Sequence, residues 1–247
     1  MLKQLELEIL PQPDEVTCGP TCLQAIYGYY ADPLPLGQVI DEVGKLPGGG
    51  TLAVMLASHA LRRGYRARIY TYNLTVFDPS WFVGGEDLIG RLRHQMEAKD
   101  TAKLHAASRA YIEFLELGGT IRMRELNAAL LRRFLKRSIP ILTGLSATYL
   151  YQCKRETEPH CRPDDVHGVP TGHFVVLCGY DQQRRTVRVA DPYEPNPLAG
   201  AHYYEVNLDR LVGAILLGVL TYDANLLIIQ PGRNHGRTEP PPAGKTV

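Results

Sequence analysis

An α+β fold, with an N-terminal helix packed on an antiparallel sheet, is what this 247-residue sequence predicts. Two stretches carry the prediction. The run QPDEVTCGPTC at residues 12–22 leads into a helical stretch from about Thr21 to Tyr30, with Pro20 suited to a first turn because its missing N–H would have no partner there. Far along the chain, TGHFVVLCGYDQQRRTVRVADPY at residues 171–193 reads as a β-hairpin. Phe174 to Leu177 is an apolar run suited to a buried strand, and Val187 and Val189 alternate with Arg188 as on a half-exposed one.

The remaining elements follow in order. Leu5, Leu7 and Ile9 alternate with Glu6 and Glu8, as in a half-buried strand. After the first helix ends near Ala31 to Pro35, a short helix over Leu36 to Val43 leads into the flexible Pro47-Gly48-Gly49-Gly50. Thr51 is expected to cap a helix running to Arg63, with Gly64 as its stop. Residues 65–72 alternate as a strand, and Asn73 to Ser80 is loop-like. Glu86 to Leu117 reads as two helices, Gly118-Gly119 as a break, and Arg124 to Arg137 as a further amphipathic helix. A late helix over Asn207 to Leu217 and a strand over Tyr222 to Gln230 complete the pattern. The expected organisation is one domain over residues 1–230 and a disordered tail over 231–247, where three consecutive prolines stand at 240–242.

The two leading stretches also carry chemistry. A thiol at a helix N-terminus lies at the positive end of the helix dipole, which favours the nucleophilic thiolate. Cys18 has that position, and Gly19 leaves the space beside its sulfur uncrowded. Gln12 is placed to offer its amide N–H to a developing oxyanion, alongside the Cys18 backbone N–H. Antiparallel pairing about a turn near Asp181 to Arg184 sets His173 opposite Asp191 to within about one residue. A carboxylate there can fix the imidazole tautomer and stabilise the imidazolium. Each residue has a plainer alternative: a buried small hydrophobe for Cys18, a solvated Gln12, a surface histidine for His173, a turn former for Asp191.

With these residues in view, the chain resembles the papain-like cysteine peptidases, in which an oxyanion glutamine, a nucleophilic cysteine, a base and an orienting acid occur in the order Gln12, Cys18, His173, Asp191. More narrowly it resembles the bacteriocin-processing, double-glycine leader peptidases in stand-alone form. TCGPTC at 17–22, GGTLAVMLASHALRRGYRARIY at 49–70, the strand IPILTGL at 139–145 and the hairpin motifs carry that likeness over about 130 residues. The resemblance implies a papain-like cysteine peptidase fold in which residues 73–122 form a helical insert. It also implies a peptide or peptide-like amide substrate, a thioester intermediate, and no metal or organic cofactor. Alternatives within the same likeness are an acyl or peptidyl transferase and a catalytically idle peptide-binding module.

Composition sets outer bounds. Lys+Arg 27 against Asp+Glu 26 leaves a net charge of +1, which argues against a general nucleic-acid binder. No stretch reaches the apolar length needed to span a bilayer, and MLKQLELEIL lacks the features of a signal peptide. Five cysteines without a secretory signal point to reduced thiols and a cytoplasmic location. Cys22, one turn after Cys18, is expected to pack beneath it. Cys153, His160, Cys161 and His167 are metal-type residues, but their spacing lacks the paired knuckle of structural zinc sites, so a loop flanking the cleft is expected. Tyr203-Tyr204 is expected in the core or cleft wall. Substrate identity and oligomeric state are not written in any motif.

Overall fold

The computed structural model describes residues 2–46, 49–157 and 161–232. The chain begins with β1 (Leu2–Gln4), α1 (Cys18–Tyr29), α2 (Leu36–Val43), α3 (Ala53–Arg62) and β2 (Arg66–Thr71). Two helices follow, α4 (Leu88–Ala98) and α5 (Ala102–Glu116), then β3 (Thr120–Arg122), α6 (Ala128–Leu135) and β4 (Ile141–Ser146). Next come α7 (Ala147–Tyr151) and the small hairpin of β5 (Glu156–Thr157) and β6 (Arg162–Pro163). The long strands β7 (Gly172–Asp181) and β8 (Thr186–Ala190) lead to β9 (Tyr203–Asn207), α8 (Leu208–Leu217) and β10 (Asn225–Gln230).

The main sheet runs β3-β2-β10-β4-β7-β8-β9, with β1 added against β7. All its pairings are antiparallel except β2 with β3. The strands at its centre are buried from end to end: every residue of β4, and His173 to Tyr180 of β7. Their continuous apolar runs suit strands covered on both faces, whereas β8 keeps the alternation of a strand nearer the rim. Helix α1 lies over β7 by burying Cys22, Leu23, Ile26 and Tyr27. Close approach is possible because residue 19 is glycine: a Cβ there would sit 3.2 Å from Cδ2 of Phe174. The Cys22 thiol donates to the Phe174 carbonyl at 3.3 Å, so it packs beneath Cys18 as expected. A polar chain that runs from the core to the surface ties the first three helices together: Tyr27 Oη meets His59 Nδ1 at 2.7 Å, and His59 Nε2 meets the exposed Glu42 Oε2 at 2.9 Å.

Several expectations are corrected. Helix α1 begins at Cys18, three residues before the predicted start, so Pro20 falls inside its first turn. The helix after the glycine run is capped by Leu52, not Thr51, whose hydroxyl turns to the Gly44 carbonyl at 3.3 Å. Leu5, Leu7 and Ile9 are buried while Glu6 and Glu8 are exposed, yet the hydrogen-bonded ladder stops at Gln4. The β7–β8 register is two residues off the expected one: Val176 faces Ala190 rather than Arg188, and pairing ends there. His173 instead faces Leu145 of β4. A bulge between Leu177 and Gly179 breaks the register, and β1 meets β7 at that point through Gln4 and Gly179. The short elements β3, α7 and β9 were not predicted. Pro47, Gly48, His160 and the tail from residue 233 lie outside the described residues.

Candidate active site

Cys18, the first residue of α1, is half-buried. No side chain caps that helix start. His173 stands one residue into β7 and is 7% exposed. Asp191 follows the last residue of β8 and is fully buried. Its backbone N–H donates to the His202 carbonyl at 2.8 Å, which continues the β8–β9 pairing one residue past the ladder. The carboxylate therefore reaches His173 from beyond the ladder, with Nε2 to Oδ1 at 2.8 Å.

Asp191 is held from every side. Tyr151 and Tyr204 each donate a phenol hydroxyl to Oδ2 at 2.7 Å, and the Tyr193 backbone N–H donates to Oδ1 at 3.0 Å. Burial alone would raise its carboxyl, but the His173 charge and the bonds from His173, Tyr151 and Tyr204 outweigh it and hold the group below the usual carboxylate range. Burial likewise would lower the His173 imidazole. The Asp191 carboxylate, with hydrogen bonds to Asp191 and Cys18, instead pushes it up to about 10. Since Nε2 is occupied by Asp191, Nδ1 is the ring nitrogen left for the Cys18 thiol. Tyr193 meets the His173 ring edge-on at a centroid distance of 6.2 Å, and the Tyr151 ring lies 6.1 Å from it.

Gln12 is brought to the same place by its backbone, whose N–H donates to the Pro192 carbonyl at 2.9 Å. Its side-chain Nε2 donates to the Asp14 carbonyl at 2.8 Å, leaving one amide hydrogen uncommitted, and its Oε1 is buried without a partner. All four residues predicted from sequence thus gather at one end of the sheet. Tyr151, Tyr193 and Tyr204 were not predicted to touch the acid. For Tyr204 a signal existed, because Tyr204 and Val206 alternate with Glu205 as the buried face of a strand. Helix α7 is too short to show any period, so nothing pointed to Tyr151. Among the described residues no cluster of three or more His, Cys, Asp or Glu side chains could hold a metal ion. No helix among them is long and apolar enough to cross a membrane.

Comparison with known proteins fits this geometry. The model of the Peptidase_C39 like family matches residues 4–210. The chain belongs to that family. Its architecture is α+β, as expected from the sequence. Among solved structures, this C39-like protein is similar to a double glycine motif protease from an AMS/PCAT transporter, solved in complex with the leader peptide. That likeness has a TM-score of 0.44 and 13% identity over 93% of this chain and 94% of that one. It is also similar to the peptidase domain of Streptococcus ComA, a bifunctional ABC transporter in a quorum-sensing pathway, with a TM-score of 0.44 and 12% identity over 92% and 99% of the two chains. Xylellain, a cysteine protease from Xylella fastidiosa, is similar with a TM-score of 0.45 and 13% identity over 94% and 86%. No curated protein matches the chain.

Proposed function

We propose that this protein is a cysteine peptidase or amidase that hydrolyses a peptide or peptide-like amide through Cys18, His173 and Asp191. In this reading the peptidase domain spans residues 1–230 and carries 73–122 as an insert. The Cys18 thiolate attacks the amide carbonyl carbon, and the resulting oxyanion takes hydrogen bonds from the Cys18 N–H and the uncommitted Gln12 amide hydrogen. His173, as imidazolium, gives its proton to the leaving amine as the C–N bond breaks. Water then adds to the thioester while His173 takes its proton, releasing the acid and restoring the thiol. Asp191 holds the ring throughout. A thiolate nucleophile needs a reducing compartment, in keeping with action in the cytoplasm.

Support comes above all from one contact, His173 Nε2 on the buried Asp191 carboxylate at 2.8 Å, with the Cys18 thiol against the same ring. The test is incubation of active and Cys18→Ala protein with a peptide mixture, scoring new cleavage products and thioester adducts by mass spectrometry. Products with the native chain only, and preferential iodoacetamide labelling of Cys18, are expected. Labelling spread evenly over the five cysteines, with no cleavage, would remove the proposal. The Gln12 side chain, turned to Asp14, favours a second reading in which the cleft binds peptides without turnover. Peptide binding by both proteins with cleavage by neither would select it.

A further inference from the structure

Asp223 is a second buried carboxylate at this end of the sheet, and the scheme above gives it no task. It is 5% exposed, and its Oδ1 has no hydrogen-bond partner. Its Oδ2 accepts only the Thr221 hydroxyl, at 3.1 Å. An unpaired buried acceptor is costly, and native structures seldom keep one without a reason. The backbone holds it there under strain, because Tyr222 and Ala224 on either side both adopt left-handed conformations at φ 70° and 56°.

The seat of this carboxylate is made by two glycines. A Cβ on Gly144 would lie 2.8 Å from Oδ1, and one on Gly172 would lie 2.9 Å from Oδ2. Gly144 pairs with Phe174, so Gly144, Gly172 and Phe174 share one face of the sheet. Phe174 in turn abuts Gly19, beside Cys18. The acid and Phe174 thus lie on one face of the sheet, Phe174 packs against the residue after the nucleophile, and Gly172 is the residue before His173. Thr221, Tyr222 and Gly172 around it are half-buried, so the carboxylate lies just beneath the surface.

We infer that Asp223 is the floor of a substrate subsite that takes a cationic group, a lysine or arginine side chain close to the scissile bond. This rests on the peptidase reading of Cys18 and His173 and adds a substrate class to it. A guanidinium or ammonium supplies the donor that Oδ1 lacks, and the charge would be held by a group largely stripped of water. Burial pushes the Asp223 carboxyl up to about 7, against the Thr221 hydrogen bond and the charges of Lys103 and His173, which lower it. Tyr111 faces it from α5, its own hydroxyl pushed up by burial and by Asp223. Lys103, also from α5, rests over the Tyr222 ring at 4.7 Å and forms no ion pair with the acid.

The test uses acetylated octapeptides in which arginine, its neutral isostere citrulline, or norleucine is moved through each position. At about pH 8, one position should show kcat/KM at least about tenfold higher for arginine than for citrulline, and the ratio should shrink severalfold by about pH 6 as the carboxyl gains its proton. Asp223→Asn, checked for unchanged melting, should bring the ratio near one at both pH values. Equal rates for arginine and citrulline at every position in the native chain overturn the inference, as does a preference that survives Asp223→Asn. Calorimetric binding of the same peptides to Cys18→Ala protein separates the two proposals. Tighter binding of the arginine peptide, lost on adding Asp223→Asn, upholds the subsite even if no peptide is cut. Absence of any binding there, together with absence of cleavage, overturns both.

Discussion

Asp191 accepts four hydrogen bonds, from His173, Tyr151, Tyr204 and the Tyr193 backbone, inside a fully buried site. Because the carboxylate is charged, each tyrosine bond contributes about 1.5–3 kcal/mol. Tyr151→Phe and Tyr204→Phe should therefore each lower stability by about that amount. Both should also raise the pH at which activity is lost in acid, since each removes a donor that favours the ionised form; melting curves and a pH–rate profile check this. On the alkaline side, His173 is raised from 6.5 to about 10. Its contribution to stability is complete below its ordinary value and fades as pH rises through the raised one. Activity that needs the imidazolium should fade over the same range. Asp191→Asn should move that alkaline limb down by at least about one pH unit, which is roughly 1.4 kcal/mol of lost stabilisation. Gln12→Ala should cost on the order of 10²–10³ in kcat, by the usual worth of an oxyanion donor. Cys18, His173, Asp191 and Gln12 were legible as candidates because each sits in a short motif. The two phenols were not, because contact with Asp191 comes from folding together segments 40 and 13 residues away from it.

At the scale of elements, helix starts divide into two kinds. Those of α4, α6, α7 and α8 carry a side-chain cap, from Asp87, Asn127, Ser146 and Asn207. The starts of α1, α2, α3 and α5 have none. Capping satisfies N–H groups that would otherwise need water or a ligand, and among the uncapped starts that of α1 carries Cys18. Asn207→Ala, which loses the acceptor for Asp209 and Arg210, should cost about 1 kcal/mol by thermal melting, without changing the rate at saturating substrate. The apolar periods of α5, α6 and α8 could be read in sequence because those helices bury one face. Strand β3 spans three residues and α7 five, too few to show a period. The hairpin was legible as a hairpin but not in register, since the Leu177–Gly179 bulge shifts the pairing in a way that alternation does not encode.

Across the whole molecule, the family match ends at residue 210, yet β10 lies in the middle of the sheet between β2 and β4. Leu226 to Ile229 are buried in the core there. A chain ending at Leu217 should lose cooperative unfolding altogether, because two strands would be left with bare edges in the interior; circular dichroism against temperature would show it. The final strand was predicted from its apolar run, but its central place was not, since sequence order says nothing of sheet order. The same separation of order from place governs the first residues. Leu5 donates to the Cys178 carbonyl, Ile9 to the Tyr203 hydroxyl and Gln12 to the Pro192 carbonyl. This stretch has to wait for partners made nearly two hundred residues later. In the proposed mechanism Cys18 is therefore made long before His173 and Asp191, so hydrolysis would have to await the last strands of the sheet.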